Sequence, residues 1–194
     1  MSALQLCINF YEKSHGVTNQ NITQEQYNVL SQIQSKLSLC DTSIPVCEKE
    51  QWESISKENS YCPDALPTVS NILNSLNNLL LFDAIKLSVD VYNILRSLHK
   101  NIKGLSESNY DNLLDIKWKL NTFKNKSKVL DEKKWKELRP KLIIDPKTNR
   151  LKDGQVSVLM PKNPTNITFT IEQINKMLFH NESKIKQMKE EKEK

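Results

Sequence analysis

The stretch "TVSNILNSLNNLLLFDAIKL", residues 68–87, decides the fold class. Val69, Ile72, Leu73, Leu76, Leu79 and Leu80 recur at three- and four-residue spacing, which gathers them into one broad apolar stripe on a helix and leaves Asn and Ser on the other side. A half-buried strand would alternate every second residue, and this stretch does not. It therefore predicts an amphipathic helix, and the rest of the chain must supply the faces that cover its stripe.

The neighbouring segments repeat the pattern. "VDVYNILRSLHK" predicts a further helix, with Ser88 as its cap and Gly104 as its end. "SNYDNLLDIKWKLNTF" aligns Tyr110, Leu113, Leu114, Trp118 and Leu120 on another, and "DEKKWKEL" makes a shorter one that stops before Pro140. Upstream, Thr23 and Gln26 have capping-box spacing and lead into Tyr27, Leu30, Ile33 and Leu37. A first short helix is expected over 3–11, with Leu4, Cys7, Ile8 and Tyr11 on one face and Gly16 as its stop. The span 40–67, with Pro45, Pro63 and Pro67, is loop-rich and holds a short helix around Trp52 and Ile55.

The last quarter changes character. "QVSVLMP" and "TNITFT" alternate apolar and polar residues, which predicts either a small hairpin across Pro161 to Pro164 or extended segments lying along the helical body. Thr170 and Gln173 repeat the capping-box spacing and open a final helix through Ile174, Met177, Leu178, Ile185 and Met188, whose lysine- and glutamate-rich end is expected to fray. The expected fold class is mainly α, a helical bundle with an irregular or short β-hairpin C-terminal arm. Its expected divisions are an acidic, loop-rich region at 1–66, a bundle domain at 68–138, an extended basic arm at 139–170 and a C-terminal helix at 171–194.

Composition bounds the function. The chain has 194 residues, of which 38% are hydrophobic, enough for a modest core. No run approaches the roughly 18 apolar residues a membrane span needs. The N-terminal "MSALQLCINFYEKSHG" lacks a basic leader and a long apolar block, so it does not read as a signal peptide and an intracellular protein is expected. Cys7, Cys40, Cys47 and Cys62 show no C-x-x-C pairing and read as reduced thiols, not metal ligands. Three glycines cannot build a phosphate-cradling loop, and the motifs of nucleotide binding, acyl transfer and zinc proteolysis are missing. His15, His99 and His180 are far apart in sequence. The expectation is a non-enzyme with no catalytic residue, no metal, no cofactor and no small-molecule substrate.

Charge is unevenly placed. Residues 1–66 hold four Lys and eight Asp or Glu, whereas 117–152 hold thirteen Lys or Arg and four acids. Such polarity points either to an anionic partner, nucleic acid or an acidic peptide segment, or to a solvated lysine-rich face. One form of partner is nucleic acid, met by Lys117, Lys119, Lys126, Lys128, Lys133, Lys134, Arg139, Lys141 and Arg150. The "KWK" at 117–119 and again at 134–136 interleaves aromatics with cations as single-strand binders do, but helical spacing assigns Trp118 to the core.

The run "LNSLNNLLLFDAIKLSVDVYNILRSLHKNIKG", followed by "DNLLDIKWKLNTF", resembles the N-terminal helical domain of elongation factor TFIIS, shared with Elongin A, a Mediator subunit and the integrase-binding domain of LEDGF. Leu73, Leu76 and Leu79 match its first helix, Ile94, Leu95 and Leu98 its middle one, and Leu113, Leu114, Ile116 and Trp118 its last, over about residues 69–123. The family's proline after the third leucine and its G-x-G-K turn are replaced here by Leu80 and "DVYN". The resemblance implies a right-handed bundle that docks short, disordered, acidic-aromatic motifs of transcription or chromatin proteins, and with it a nuclear location, a cytoplasmic one being the alternative. A lysine-rimmed groove accepting an apolar anchor flanked by carboxylates fits that implication. The expected partner-binding residues are Leu98, Lys100, Ile102, Lys103 and Lys124.

Overall fold

The computed structural model describes residues 1–100, 104–138, 144–145, 150–151 and 160–192. It is mainly helical, and it divides into two compact units, Met1–Leu81 and Phe82–Lys194. The division falls inside the segment 68–138 that the sequence groups together.

The first unit has four helices. Helix α1, Ala3–Ser14, starts at Ser2, whose hydroxyl accepts the Gln5 amide at 3.2 Å, and buries Leu6, Cys7 and Phe10. The expected stripe is displaced by about one position, so Leu4, Ile8 and Tyr11 flank the buried line as half-buried residues. Gly16 adopts a φ of 71°, a left-handed turn that only glycine makes without strain, and the chain leaves the helix there. Helix α2, Gln24–Leu37, opens with the predicted capping box: Thr23 Oγ1 accepts the Gln26 amide at 3.2 Å and Gln26 Oε1 accepts the Thr23 amide at 3.0 Å. Leu30, Ile33 and Leu37 are its buried face. Helix α3, Lys49–Glu58, is anchored by fully buried Trp52, whose indole donates to the Pro63 carbonyl at 2.9 Å. The strip around Val46 runs antiparallel to Pro67 and Thr68, with Val46 N donating to Pro67 O at 3.2 Å and Ser70 N to Thr42 O at 3.3 Å. Helix α4, Val69–Leu80, is capped by Thr68 and packs Val69, Ile72 and Leu76 inward, in contact with α1 and α2.

The expected helix over 68–87 is thus two helices. Leu81 to Asp83 are non-helical, and Asp83 Oδ1 accepts the amides of Ile85 and Lys86 at 3.1 and 3.2 Å. A carboxylate that satisfies two free amides starts a helix, so α5, Ala84–Lys100, begins before Ser88. Ser88 is no cap. It is fully buried one turn inside α5, donates to the Ala84 carbonyl at 2.8 Å and accepts from Thr170 Oγ1 at 3.2 Å.

The second unit is built from α5 with α6, Glu107–Asn121, α7, Glu132–Leu138, and α8, Ile167–Lys192. Helix α6 is capped by Ser106, whose hydroxyl accepts the Asn109 amide at 3.2 Å, and buries Leu113, Ile116 and Leu120. Leu114 is exposed, and Trp118 is half-buried, its indole donating to Asp115 at 2.9 Å and its ring meeting Phe82 edge-on. Trp135 of α7 is fully buried, packs edge-on against Tyr92 and donates to the Pro161 carbonyl at 3.1 Å. Leu130 N donates to Thr165 O at 3.0 Å and Thr168 N to Lys126 O at 3.1 Å. The main core joins Val91, Leu105, Leu113, Ile116, Leu120, Ile167, Ile174, Met177 and Leu178, with α8 lying on α5 and α6.

The hairpin expectation is corrected. "TNITFT" is the start of α8, with Asn166 Oδ1 accepting the Phe169 amide at 2.8 Å. Ile167, Ile171 and Ile174 satisfy helical spacing as well as Ile167 and Phe169 satisfy alternation, and the asparagine cap decides for helix. Thr170, expected to cap the last helix, is buried in its first turn. The other proposed strand lies mostly outside the described residues. A two-residue antiparallel pairing, β1 at Ile144–Asp145 with β2 at Arg150–Leu151, falls elsewhere in the chain. The end of α8 keeps helical form through Lys192, held where Ile185 is buried and Lys189 meets Asp111 of α6 at 3.2 Å. No helix among the described residues is long and apolar enough to cross a membrane.

Candidate protein-docking groove

In the second unit, the far end of α5 and the middle of α8 leave a groove of about 350 Å³ lined by Leu95, Leu98, Gln173, Lys176, Met177, His180 and Asn181. Its apolar wall follows from helical spacing. Leu95 and Leu98 are one turn apart on α5, and both are half-buried against the core. On α8, Gln173, Lys176, Met177, His180 and Asn181 form one stripe at three- and four-residue spacing. Met177 supplies an unbranched, adaptable side chain on the floor. Lys176 and His180 are exposed at the rim, and Phe179 stands beside them with 78% of its surface in water.

Asn181 fixes the geometry. Its Nδ2 donates to the Met177 carbonyl at 2.8 Å, and its Oδ1 accepts the Leu105 amide at 3.3 Å, which ties α8 to the residues just before α6. Those residues include Gly104 at a φ of 82°, where a Cβ would also stand 3.4 Å from both Asn181 Oδ1 and Lys184 Nζ. The glycine is required by its backbone angle.

The structure distributes the expected partner-binding residues unevenly. Leu98 lines the groove. Lys100 ends α5, its side chain outside the described residues, as are Ile102 and Lys103. Lys124 is exposed in the loop after α6 and is not among the lining residues. Met177 was read in the sequence only as part of the last helix's apolar stripe, and Lys176 and His180 were not read as site residues, because their common stripe acquires meaning only when α5 lies against it.

The basic strip fares differently. Lys119 is only 4% exposed, pairs with Asp115 at 2.8 Å and lies over the Phe82 and Trp118 rings at 5.6 Å, so its ammonium is committed inside the fold. Lys134 pairs with Asp83 at 2.7 Å. Lys117 and Lys126 are half-buried, and Lys128 and Lys133 are exposed. Arg139, Lys141 and the side chain of Arg150 lie outside the described residues. Burial alone would raise the Asp83 carboxyl, but the Lys134 ammonium and the amides of Lys86 and Ile85 together hold it below its ordinary range.

In the first unit, burial pushes the Cys7 thiol up to about 12, with Cys62 and Cys47 adding to the effect. Such thiols are poor nucleophiles and poor metal ligands. Among the described residues, no group of three or more His, Cys, Asp or Glu is placed to hold a metal ion.

The residues that carry the TFIIS resemblance are divided: Leu73, Leu76 and Leu79 belong to the first unit and the remainder to the second. No family model, no curated protein and no solved structure matches the chain.

Proposed function

We propose that the chain is a non-enzymatic binding protein whose second unit docks a short segment of a protein partner, an apolar or aromatic anchor flanked by carboxylates, in the α5–α8 groove. The observation that carries this reading is a concave apolar wall of Leu95, Leu98 and Met177 edged by an exposed cation, Lys176. An apolar anchor gains by leaving water there, and flanking carboxylates meet the rim charge. Phe179, exposed one turn from Lys176, adds apolar surface that an incoming chain would cover. The TFIIS resemblance implies the same class of acidic-aromatic partner, and with it a role as an adaptor in transcription or chromatin complexes and a nuclear location. Nucleic acid is the weaker partner, because Lys119 and Lys134 are already engaged with carboxylates of their own unit.

The test is fluorescence anisotropy with a labelled synthetic peptide carrying one phenylalanine among aspartates. Saturable binding is expected, weakened about tenfold or more by Lys176→Glu and by Phe179→Ser, both surface changes that should leave the melting temperature unchanged. A single-stranded oligonucleotide should bind no better than the peptide. Tight oligonucleotide binding with a steep loss in salt would refute the reading.

A further inference from the structure

We infer that the chain is a tandem duplication of one four-helix unit, and that the groove is a binding site of the second copy alone, formed where that copy's first and last helices outgrow those of the first. The second clause rests on the docking reading above; the first does not.

The two units match in sequence, element by element and in the same order. "ALQLCINFY" at 3–11 aligns with "AIKLSVDVY" at 84–92, and "ITQEQYNVLSQIQSKL" at 22–37 with "LSESNYDNLLDIKWKL" at 105–120, without a gap. "EKEQWESI" at 48–55 aligns with "DEKKWKEL" at 131–138, and "TVSNILNSLNNLL" at 68–80 with "NITFTIEQINKML" at 166–178. Tyr27, Leu30, Ile33 and Leu37 meet Tyr110, Leu113, Ile116 and Leu120, and Trp52 meets Trp135.

Helical packing alone would account for recurring leucines. It does not account for the shared irregular features. In each unit the short third helix is pinned by a fully buried tryptophan whose indole donates to a proline carbonyl, Trp52 to Pro63 at 2.9 Å and Trp135 to Pro161 at 3.1 Å. Each unit also crosses the same two non-helical strips with the same pair of amide-to-carbonyl bonds. Val46 to Pro67 corresponds to Leu130 to Thr165, and Ser70 to Thr42 corresponds to Thr168 to Lys126. The caps agree as well: Thr23 on the Gln26 amide has its counterpart in Ser106 on the Asn109 amide, both at 3.2 Å, with Ile22 and Leu105 buried just before them.

The copies differ at the groove. Alignment sets Leu95 opposite Ser14, the last residue of α1, so the part of α5 that carries Leu98 has no helical counterpart. It sets Leu178 opposite Leu80, the last residue of α4, so His180 and Asn181 lie on an added stretch of α8 that runs to Lys192. The positions that the copies share as identical are mostly core positions, so what the duplication retained is the fold. Among the described residues the duplicated fold accordingly offers this site in the second copy and not in the first.

A two-dimensional amide and indole NMR spectrum of the full-length protein tests both clauses, with indole signals assigned by Trp52→Phe, Trp118→Phe and Trp135→Phe. The Trp52 and Trp135 indole protons should both be protected from exchange in heavy water, while that of half-buried Trp118 exchanges much faster. Rapid exchange at either Trp52 or Trp135 would overturn the shared lock and with it the duplication. Titration with the phenylalanine–aspartate peptide should saturate at one peptide per chain and move signals around Leu98 and Met177 while leaving those around Ser14 and Leu79 in place. Two equivalents, with both regions shifting, would overturn the single-site clause and keep docking. No shift anywhere would overturn docking, and the site clause with it, while the indole result still decides the duplication.

Discussion

Replacing Trp135 with alanine should destabilise the second unit by about 3–5 kcal/mol. The ring is fully buried, and truncating a buried Trp or Phe forfeits its transfer energy and leaves a cavity. Trp135 belongs to a small satellite cluster with Ile85, Val89 and Tyr92, and is the one buried residue that α7 contributes to it. Trp135→Phe separates the two contributions. It keeps most of the apolar volume and loses the bond to the Pro161 carbonyl at 3.1 Å, which is partly accessible to water, so the expected cost is nearer about 1 kcal/mol. The same truncation at half-buried Trp118 should cost less than at Trp135, although both residues sit in a Lys-Trp-Lys triplet. Urea denaturation followed by circular dichroism measures all three. A Trp135→Ala protein within about 1 kcal/mol of wild type would refute the assignment of α7 as a tryptophan-anchored element, and a Phe variant as damaged as the Ala variant would show that the hydrogen bond outweighs the packing.

Two other outcomes follow from the titratable groups. The folded state depresses the Asp83 carboxyl, so its contribution to stability is present above the unfolded range near pH 4 and is lost as pH falls through the lower folded value; Asp83→Asn should flatten that part of the acid unfolding curve, and an unchanged curve would mean that the Lys134 pair contributes nothing. Cys7, fully buried and with its thiol pushed up to about 12, should resist a maleimide at neutral pH until denaturant is added; modification of Cys7 in the folded protein, read by mass spectrometry, would contradict its place in the core.

What the sequence disclosed follows from the range of the interactions involved. The Thr23–Gln26 capping box was legible because both partners lie within one turn and the chemistry is complete locally. The break at Leu81 to Asp83 was not, because six apolar residues before it dominate the pattern, and the two hydrogen bonds that start α5 belong to a single Asp side chain. Trp118 and Trp135 carry identical neighbours, and only distant residues, Ile85, Val89 and Tyr92 upstream and Pro161 twenty-six positions downstream, make the second a core anchor. The groove needs Leu98 to meet Met177 across most of the second unit, so neither residue's own surroundings announce it. Lys119 shows the opposite error: in a basic run it is read as open to a nucleic-acid partner, yet two aromatic rings and one carboxylate draw it inside. The repeated unit was legible in principle, since aligning 22–37 with 105–120 requires only that the chain be compared with itself.

The boundary between Leu81 and Phe82 also bears on how the protein is made. Every helix of the first unit precedes it, so all the internal contacts of that unit can form once Leu81 has left the ribosome. Synthesis at roughly 5–20 residues per second leaves on the order of ten seconds before the second unit is complete, against microseconds to seconds for a small domain to fold. The nascent chain can therefore bury Trp52 and its neighbours before Trp135 and its helix exist to compete for the same partners. Order of appearance keeps two look-alike sequences from pairing with each other's halves.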